Sequence, residues 1–177
     1  MPKRLAVLIL LVLGFATPAL AASKPAEIGG VIHATKPYGE GAVRFLFITA
    51  YDATLWTDAP HWSMNAPFAL VLHYGMGFST DDLVSRSIKE MRHVAPGTSE
   101  AKLQQYKAAL TRVFPDVKSG DTITALYVPG RPVQFFLDGR QTGEVADPGF
   151  AAPFFAIWLS PQTSDPDLRA KLLSAGK

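Results

Sequence analysis

The spacing of apolar and polar positions changes period along this chain, and the changes mark its elements. Val43 to Trp56 (VRFLFITAYDATLW) is rich in aromatic and β-branched residues and predicts one long strand or a bulged pair of strands. Phe45, Phe47, Thr49, Tyr51 and Leu55 share one parity there, while Arg44, Asp52 and Thr54 fall on the other. The alternation is incomplete, which implies partial cover on both faces. A second strand is predicted over Phe68 to Tyr74 (FALVLHY), with Phe68, Leu70, Leu72 and Tyr74 lining one face.

The period then lengthens to that of a helix. In STDDLVSRSIKEMRHV, Ser79 or Thr80 can cap the amino end, Asp81 and Asp82 suit the positive end of the helix dipole, and Arg92 and His93 suit its carboxyl end. Leu83, Val84, Ile88, Met91 and Val94 form the apolar stripe. A second helix is predicted in TSEAKLQQYKAALTRVFP, capped by Thr98 or Ser99 and stopped by Pro115, with Leu103, Tyr106, Leu110, Val113 and Phe114 facing inward. After Gly120-Asp121 the period returns to two. TITALYV, PVQFFL and TGEVA read as an antiparallel meander turned at Pro129-Gly130-Arg131 and Asp138-Gly139. Asp147-Pro148 and Asp165-Pro166 each place an Asp cap before a proline and predict the starts of two final helices. Strands and helices are segregated rather than alternating, so the class is α+β, in a single domain.

One stretch has no polar face at all. FAAPFFAIWL, Phe150 to Leu159, is apolar all round and as a helix must be covered on every side. It is either an ordinary core helix or one wall of an apolar ligand cavity, since both are lined by the same residue types. Pro153 would cost about 3 kcal/mol in a regular helix interior, which predicts a kink or a late helix start at that position.

The amino-terminal residues and the charge balance narrow the setting. Residues 1–21 join a basic start at Lys3 and Arg4 to an apolar run from Leu5 to Phe15 and a small-residue Ala19-Leu20-Ala21 site, the pattern of a secretory signal peptide. The run is shorter than the roughly 20 residues that span a bilayer. The expectation is an exported chain of residues 22–177, by default periplasmic, with no stable membrane anchor after cleavage. Of 17 Lys+Arg residues, two lie in that leader, leaving as many basic as acidic residues in the remainder. With no basic cluster there is no electrostatic footprint for nucleic acid or an anionic membrane. The chain has no cysteine, so its stability rests on burial and not on disulfides.

Motifs for common chemistries are missing. His33, His61, His73 and His93 have no paired ligand spacing, so no metal is expected. The sequence contains no nucleophile elbow, phosphate loop or dinucleotide fingerprint, and no cofactor is expected.

Several stretches do carry a resemblance: YDATLW, PFALVLHY, SRSIKEM, FPDVKSGDTITALYVPG, FFLDG, TGEVADPGFAAPFFAIWL and PQTSDPDLRAKLL. Together they resemble the exported bacterial branch of the chalcone isomerase-like family, from about Gly41 to Leu173, with the segment from Asp147 to Arg169 the most specific. The resemblance implies a large, open antiparallel sheet with helices over one face and a mostly apolar cleft between them. It also implies a choice of uses. Plant enzymes of this fold close a chalcone to a flavanone with an Arg, Tyr and Thr groups, and an Asn paired with a Ser or Thr; other relatives bind fatty acids through an Arg.

Carried over position by position, the resemblance puts Tyr51 where the enzymes have a catalytic Thr. Arg44 lies closer to that strand hydroxyl than the enzymes' arginine does. On the SRSIKEM helix the enzymes' Tyr and Asn have no counterpart, although Arg86 and Ser87 offer polar groups. Ala156 or Ile157 stands where a substrate-binding hydroxyl is expected. These departures disfavour flavonoid cyclisation. The favoured reading is a protein that binds a small apolar or amphipathic molecule, a carboxylate or a phenol, through Arg86, Ser87, Tyr51, Phe154 and Trp158. The alternatives are an isomerase or intramolecular lyase acting on a conjugated substrate, with Tyr51 and Arg44 as catalytic candidates, and a non-catalytic scaffold for an envelope protein.

Overall fold

The computed structural model describes residues 23–174. The expected signal peptide lies outside the described residues. Six strands form one antiparallel sheet in which spatial order equals chain order: β1 (Gly39–Phe45), β2 (Ile48–Trp56), β3 (Phe68–Tyr74), β4 (Thr122–Tyr127), β5 (Val133–Leu137) and β6 (Arg140–Val145). Helices α1 (Thr80–Val94) and α2 (Glu100–Val113) intervene between β3 and β4, and α3 (Ala151–Leu159) and α4 (Pro166–Leu172) follow β6. The α+β expectation holds.

Register explains the two faces. Leu55, Leu70, Ala125 and Phe135 lie in one cross-strand row on the helix-covered side, where the main core gathers with α1, α2, α3 and α4. The next row, Trp56, Ala69 and Leu126, faces the opposite way and is covered by Ile28, at the end of a short 3-10 turn at Ala26–Ile28, and by Ile32 just after it. That cover accounts for the incomplete alternation in β2. Thr124 is buried on that side and donates to Glu27 Oε1 at 2.6 Å.

Of the two outcomes expected for the VRFLFITAYDATLW segment, the bulged pair of strands is the one found, with the register shift between Val43 and Arg44. The segment folds back at Leu46-Phe47, so its first three residues belong to β1 and the remainder to β2. No Gly, Asn or Pro marks the turn, and Leu46 itself takes the left-handed backbone with φ 54°. A single parity therefore does not extend across it: Phe45 and Phe47 project to solvent, whereas Tyr51 and Leu55 keep to the helix side.

The helix caps follow their sequence signals with one change. Ser79 caps α1 in a reciprocal capping box with Asp82, and Ser99 caps α2. Asp165 caps α4, with Pro166 in its first turn. Asp147, however, does not open α3. Its carbonyl closes a turn with the Phe150 N–H at 3.0 Å, and its carboxylate accepts from Gly149 N at 2.8 Å and Lys102 Nζ at 2.7 Å. The helix begins late, at Ala151, so Pro153 falls in its first turn, where a backbone N–H has no intrahelical partner to lose. Of the two outcomes expected at Pro153, the late start is the one found.

Helix α4 lies directly on β1 because that strand offers no side chains at the crossing. A Cβ on Gly39 would collide with the Leu172 carbonyl, and one on Gly41 with the Leu168 side chain. This close approach brings the loop before α4 to the edge of the cleft.

Candidate functional site

Between the helix-covered face of β1–β4 and helices α1 and α3 the packing is incomplete. A cavity of about 570 Å³ remains, open at one side. Its floor includes the small side chains Ala50 and Ala125, and its walls include Leu70, Leu72, Tyr74, Phe154, Ile157 and Trp158. The void follows from side-chain choice. Where α1 lines this space it presents Leu83 as its one large apolar residue, and Arg86, Ser87 and Glu90 stand where further apolar side chains would fill the gap over the alanines.

The six residues singled out from sequence, Arg44, Tyr51, Arg86, Ser87, Phe154 and Trp158, all line this cavity, although they come from β1, β2, α1 and α3. They are not equivalent. Trp158 Nε1 donates to Tyr51 Oη at 3.1 Å, which occupies an acceptor site of the phenol and leaves its O–H to be donated. Tyr51 also packs edge-on against Tyr74, ring centres 5.9 Å apart. Burial pushes the Tyr51 pKa above the usual tyrosine value, the bond from Trp158 opposes that shift, and the negative charge of Asp165 adds to it. Tyr51 is therefore protonated at neutral pH and acts as a hydrogen-bond donor.

Ser87 donates to the Leu83 carbonyl one turn back at 2.8 Å, so its proton is committed within α1 and only its lone pairs face a guest. Arg44 sits at the exposed rim, opposite Thr49 across a bulge, and among the described residues no hydrogen bond joins it to Tyr51. Phe154 and Trp158 form the apolar wall, ring centres 5.5 Å apart.

Glu90 is the residue that the sequence reading missed. It is buried on α1, where Oε1 meets Arg86 Nη2 at 2.9 Å and Oε2 accepts from Ser164 Oγ at 2.6 Å. Its signal was the i, i+4 spacing from Arg86, which on an exposed helix describes any solvated pair. What the spacing did not reveal is that the carboxylate is inside while 68% of the Arg86 side chain remains accessible.

The resulting electrostatics are specific. All three lining acids are engaged within the protein, Asp82 in the α1 capping box, Glu90 on Arg86 and Ser164, and Asp165 accepting from Leu168 N at 2.9 Å. Glu90 takes one guanidinium nitrogen and fixes its direction, leaving the other donors of Arg86 unspent. An acceptor entering the cavity polar end first meets those donors and the Tyr51 hydroxyl. Most of the remaining lining is hydrocarbon and rings, with Ser87, Thr163 and Ser164 adding aliphatic hydroxyl groups. Among the described residues, no helix is long and apolar enough to cross a membrane.

Comparison with known proteins bears on the fold. A family profile described as chalcone isomerase-like matches residues 38–174. The crystal structure of an Arabidopsis thaliana fatty-acid binding protein superposes with a TM-score of 0.57 at 11% identity, covering 78% of this chain and 86% of that one. No curated protein sequence matches the chain.

Proposed function

This chain belongs to the chalcone isomerase-like family, and on that premise we propose that it is a non-catalytic binding protein for an amphipathic small molecule, a carboxylate or a phenol with an apolar body. The observation that carries this reading is the make-up of the cavity: about 570 Å³ of largely apolar space whose lining includes both the Arg86 guanidinium and the Tyr51 hydroxyl. The volume falls in the range of about 300–1,000 Å³ typical of small-molecule sites. The solved fatty-acid binding protein of the same fold supports the ligand class. Binding is favoured over isomerisation because the burial of Tyr51 suits donation to a ligand oxygen and opposes a role as base. We assign the protein to an exported, bacterial branch of the family on the leader pattern of residues 1–21, with residues 22–177 as its single domain.

Two experiments test the reading. Protein purified gently from its native compartment should show, by native mass spectrometry, an excess mass that denaturation releases as a small acid or phenol. Titration with palmitate tests the Arg86 guanidinium. Arg86→Ala would strand the buried Glu90 carboxylate, so the informative change is Arg86→Gln, which keeps a donor for Glu90 and removes the cation. Its palmitate affinity should fall at least about tenfold, the scale of a lost charged hydrogen bond. Affinity for a long-chain alcohol should hardly change. Equal affinity for palmitate in both proteins would remove Arg86 from the site.

A further inference from the structure

The hairpin between β1 and β2 ends in four consecutive apolar residues that project into solvent: Phe45 is 70% exposed, Leu46 79%, Phe47 100% and Ile48 55%. Two independent preferences are overridden at this tip. Exposed hairpin turns take polar residues and glycine, and this one takes leucine and phenylalanine. The first of its two central residues has φ 54°, a backbone that glycine adopts freely and leucine only under strain, yet the position is Leu46. The tip is also continuous with the cavity, since Val43, Arg44 and Phe45 form part of the cavity lining.

We propose that this tip inserts into the interfacial layer of a lipid bilayer and so holds the mouth of the cavity against the membrane surface. A second copy of the chain fits less well. Four side chains on a narrow convex ribbon present roughly 500 Å², short of the about 800 Å² per partner of a stable protein interface. A bilayer needs no complementary shape and gains from every apolar group placed at the boundary of headgroups and acyl chains. The ribbon suits that depth. Phe45 and Ile48 pair with each other across it, so few unpaired backbone groups enter the apolar layer with the side chains. Arg44 follows immediately behind the tip, and among the described residues it enters no ion pair, which leaves its guanidinium for a lipid phosphate. Contact of this kind is held by apolar insertion and needs no net positive charge. That the bilayer also supplies the ligand rests on the binding reading above; insertion itself does not.

The test places its reporter on the tip, so that partitioning by other parts of the full chain does not register. Phe47→Trp is mixed with vesicles of phosphatidylcholine containing phosphatidylglycerol, and the emission of the unsubstituted protein is subtracted. The added tryptophan should shift to the blue and be quenched by lipids brominated on their acyl chains. In the same vesicles Leu46→Gly combined with Phe47→Ser should lower the partition coefficient at least about tenfold, the scale of one exposed large side chain, without lowering the melting temperature. Arg44→Gln should weaken binding to the anionic vesicles about fivefold and leave binding to pure phosphatidylcholine unchanged. An added tryptophan that stays red-shifted and unquenched overturns the proposal. So does a concentration-dependent dimer that the double variant abolishes, because the tip would then serve a second copy. The double variant should still bind palmitate in free solution; if it inserts no longer but binds normally, the two readings are separated, and if wild type inserts but binds no palmitate, only the cavity reading fails.

Discussion

The same face of the same sheet, under the same helix, is filled at one end and hollow at the other. Toward β5, Phe135 meets Phe114 and Phe154 at ring separations of 5.4 and 5.3 Å, Phe150 stacks on Phe154 at 5.1 Å, and Phe155 lies 4.6 Å from Phe68. In the cavity, by contrast, Ala50 of β2 and Ala125 of β4 share the lining with Ser87 and Glu90 of α1, and about 570 Å³ stays open. Phe154 belongs to both regions: one side packs among phenylalanines and another borders the cavity. Apolar side chains line both, so apolarity does not separate them. What separates them is volume across the gap, aromatic against aromatic in one place and small against polar in the other.

Emptying the filled end should have the largest effect. Phe155→Ala removes a fully buried ring and is expected to cost about 3–5 kcal/mol in denaturant unfolding. A loss near zero would show that this end is as loose as the other. Filling the hollow end should do the reverse. Ala125→Leu is expected to abolish palmitate binding while leaving stability unchanged or higher by about 1 kcal/mol. A destabilisation of about 1–3 kcal/mol, the cost of overpacking, would show that the space is not available.

The smallest expected effect lies outside both regions, at the pair formed by Lys102 and Asp147. The hydrogen bond from Lys102 holds the Asp147 carboxyl below its usual range, with a further contribution from Gly149 N and partial burial opposing both. Because the folded-state value is depressed, the stabilisation is complete above the unfolded value of about 3.9 and is lost as pH falls through the folded one. Asp147→Asn should therefore lower the neutral-pH melting temperature slightly, by no more than a partly exposed ion pair contributes, leave it unchanged in acid, and so flatten the acid limb of melting temperature against pH. An unaltered acid limb would show that the exposed Lys102 contributes nothing through this pair.

Much of this comparison was legible in the chain. The strands β3 to β6, both long helices, the capping serines and the segregation of strands from helices follow from periodicity and cap chemistry, because each depends on neighbours within a few residues. Tyr51, Arg86, Phe154 and Trp158 were recognisable as a group only through family resemblance, since nothing local joins residues a hundred positions apart. Glu90 escaped because an i, i+4 pair reads the same whether its carboxylate is buried or solvated. The tip at Leu46-Phe47 escaped because a turn made of apolar residues carries no turn signal. The balanced charge of residues 22–177 had also argued against an anionic membrane surface, and charge says nothing about apolar insertion.

The sequence by itself determined which segments are helix or strand and which faces must be covered, since hydrophobic burial acts wherever the pattern repeats. Whether FAAPFFAIWL closes a core or walls a cavity was decided only in the tertiary structure. That outcome depends on the sizes of Ala50, Ala125, Ser87 and Glu90, brought together in one lining from β2, β4 and α1. Packing is a property of volumes that meet in space, and no single segment contains both sides of the gap.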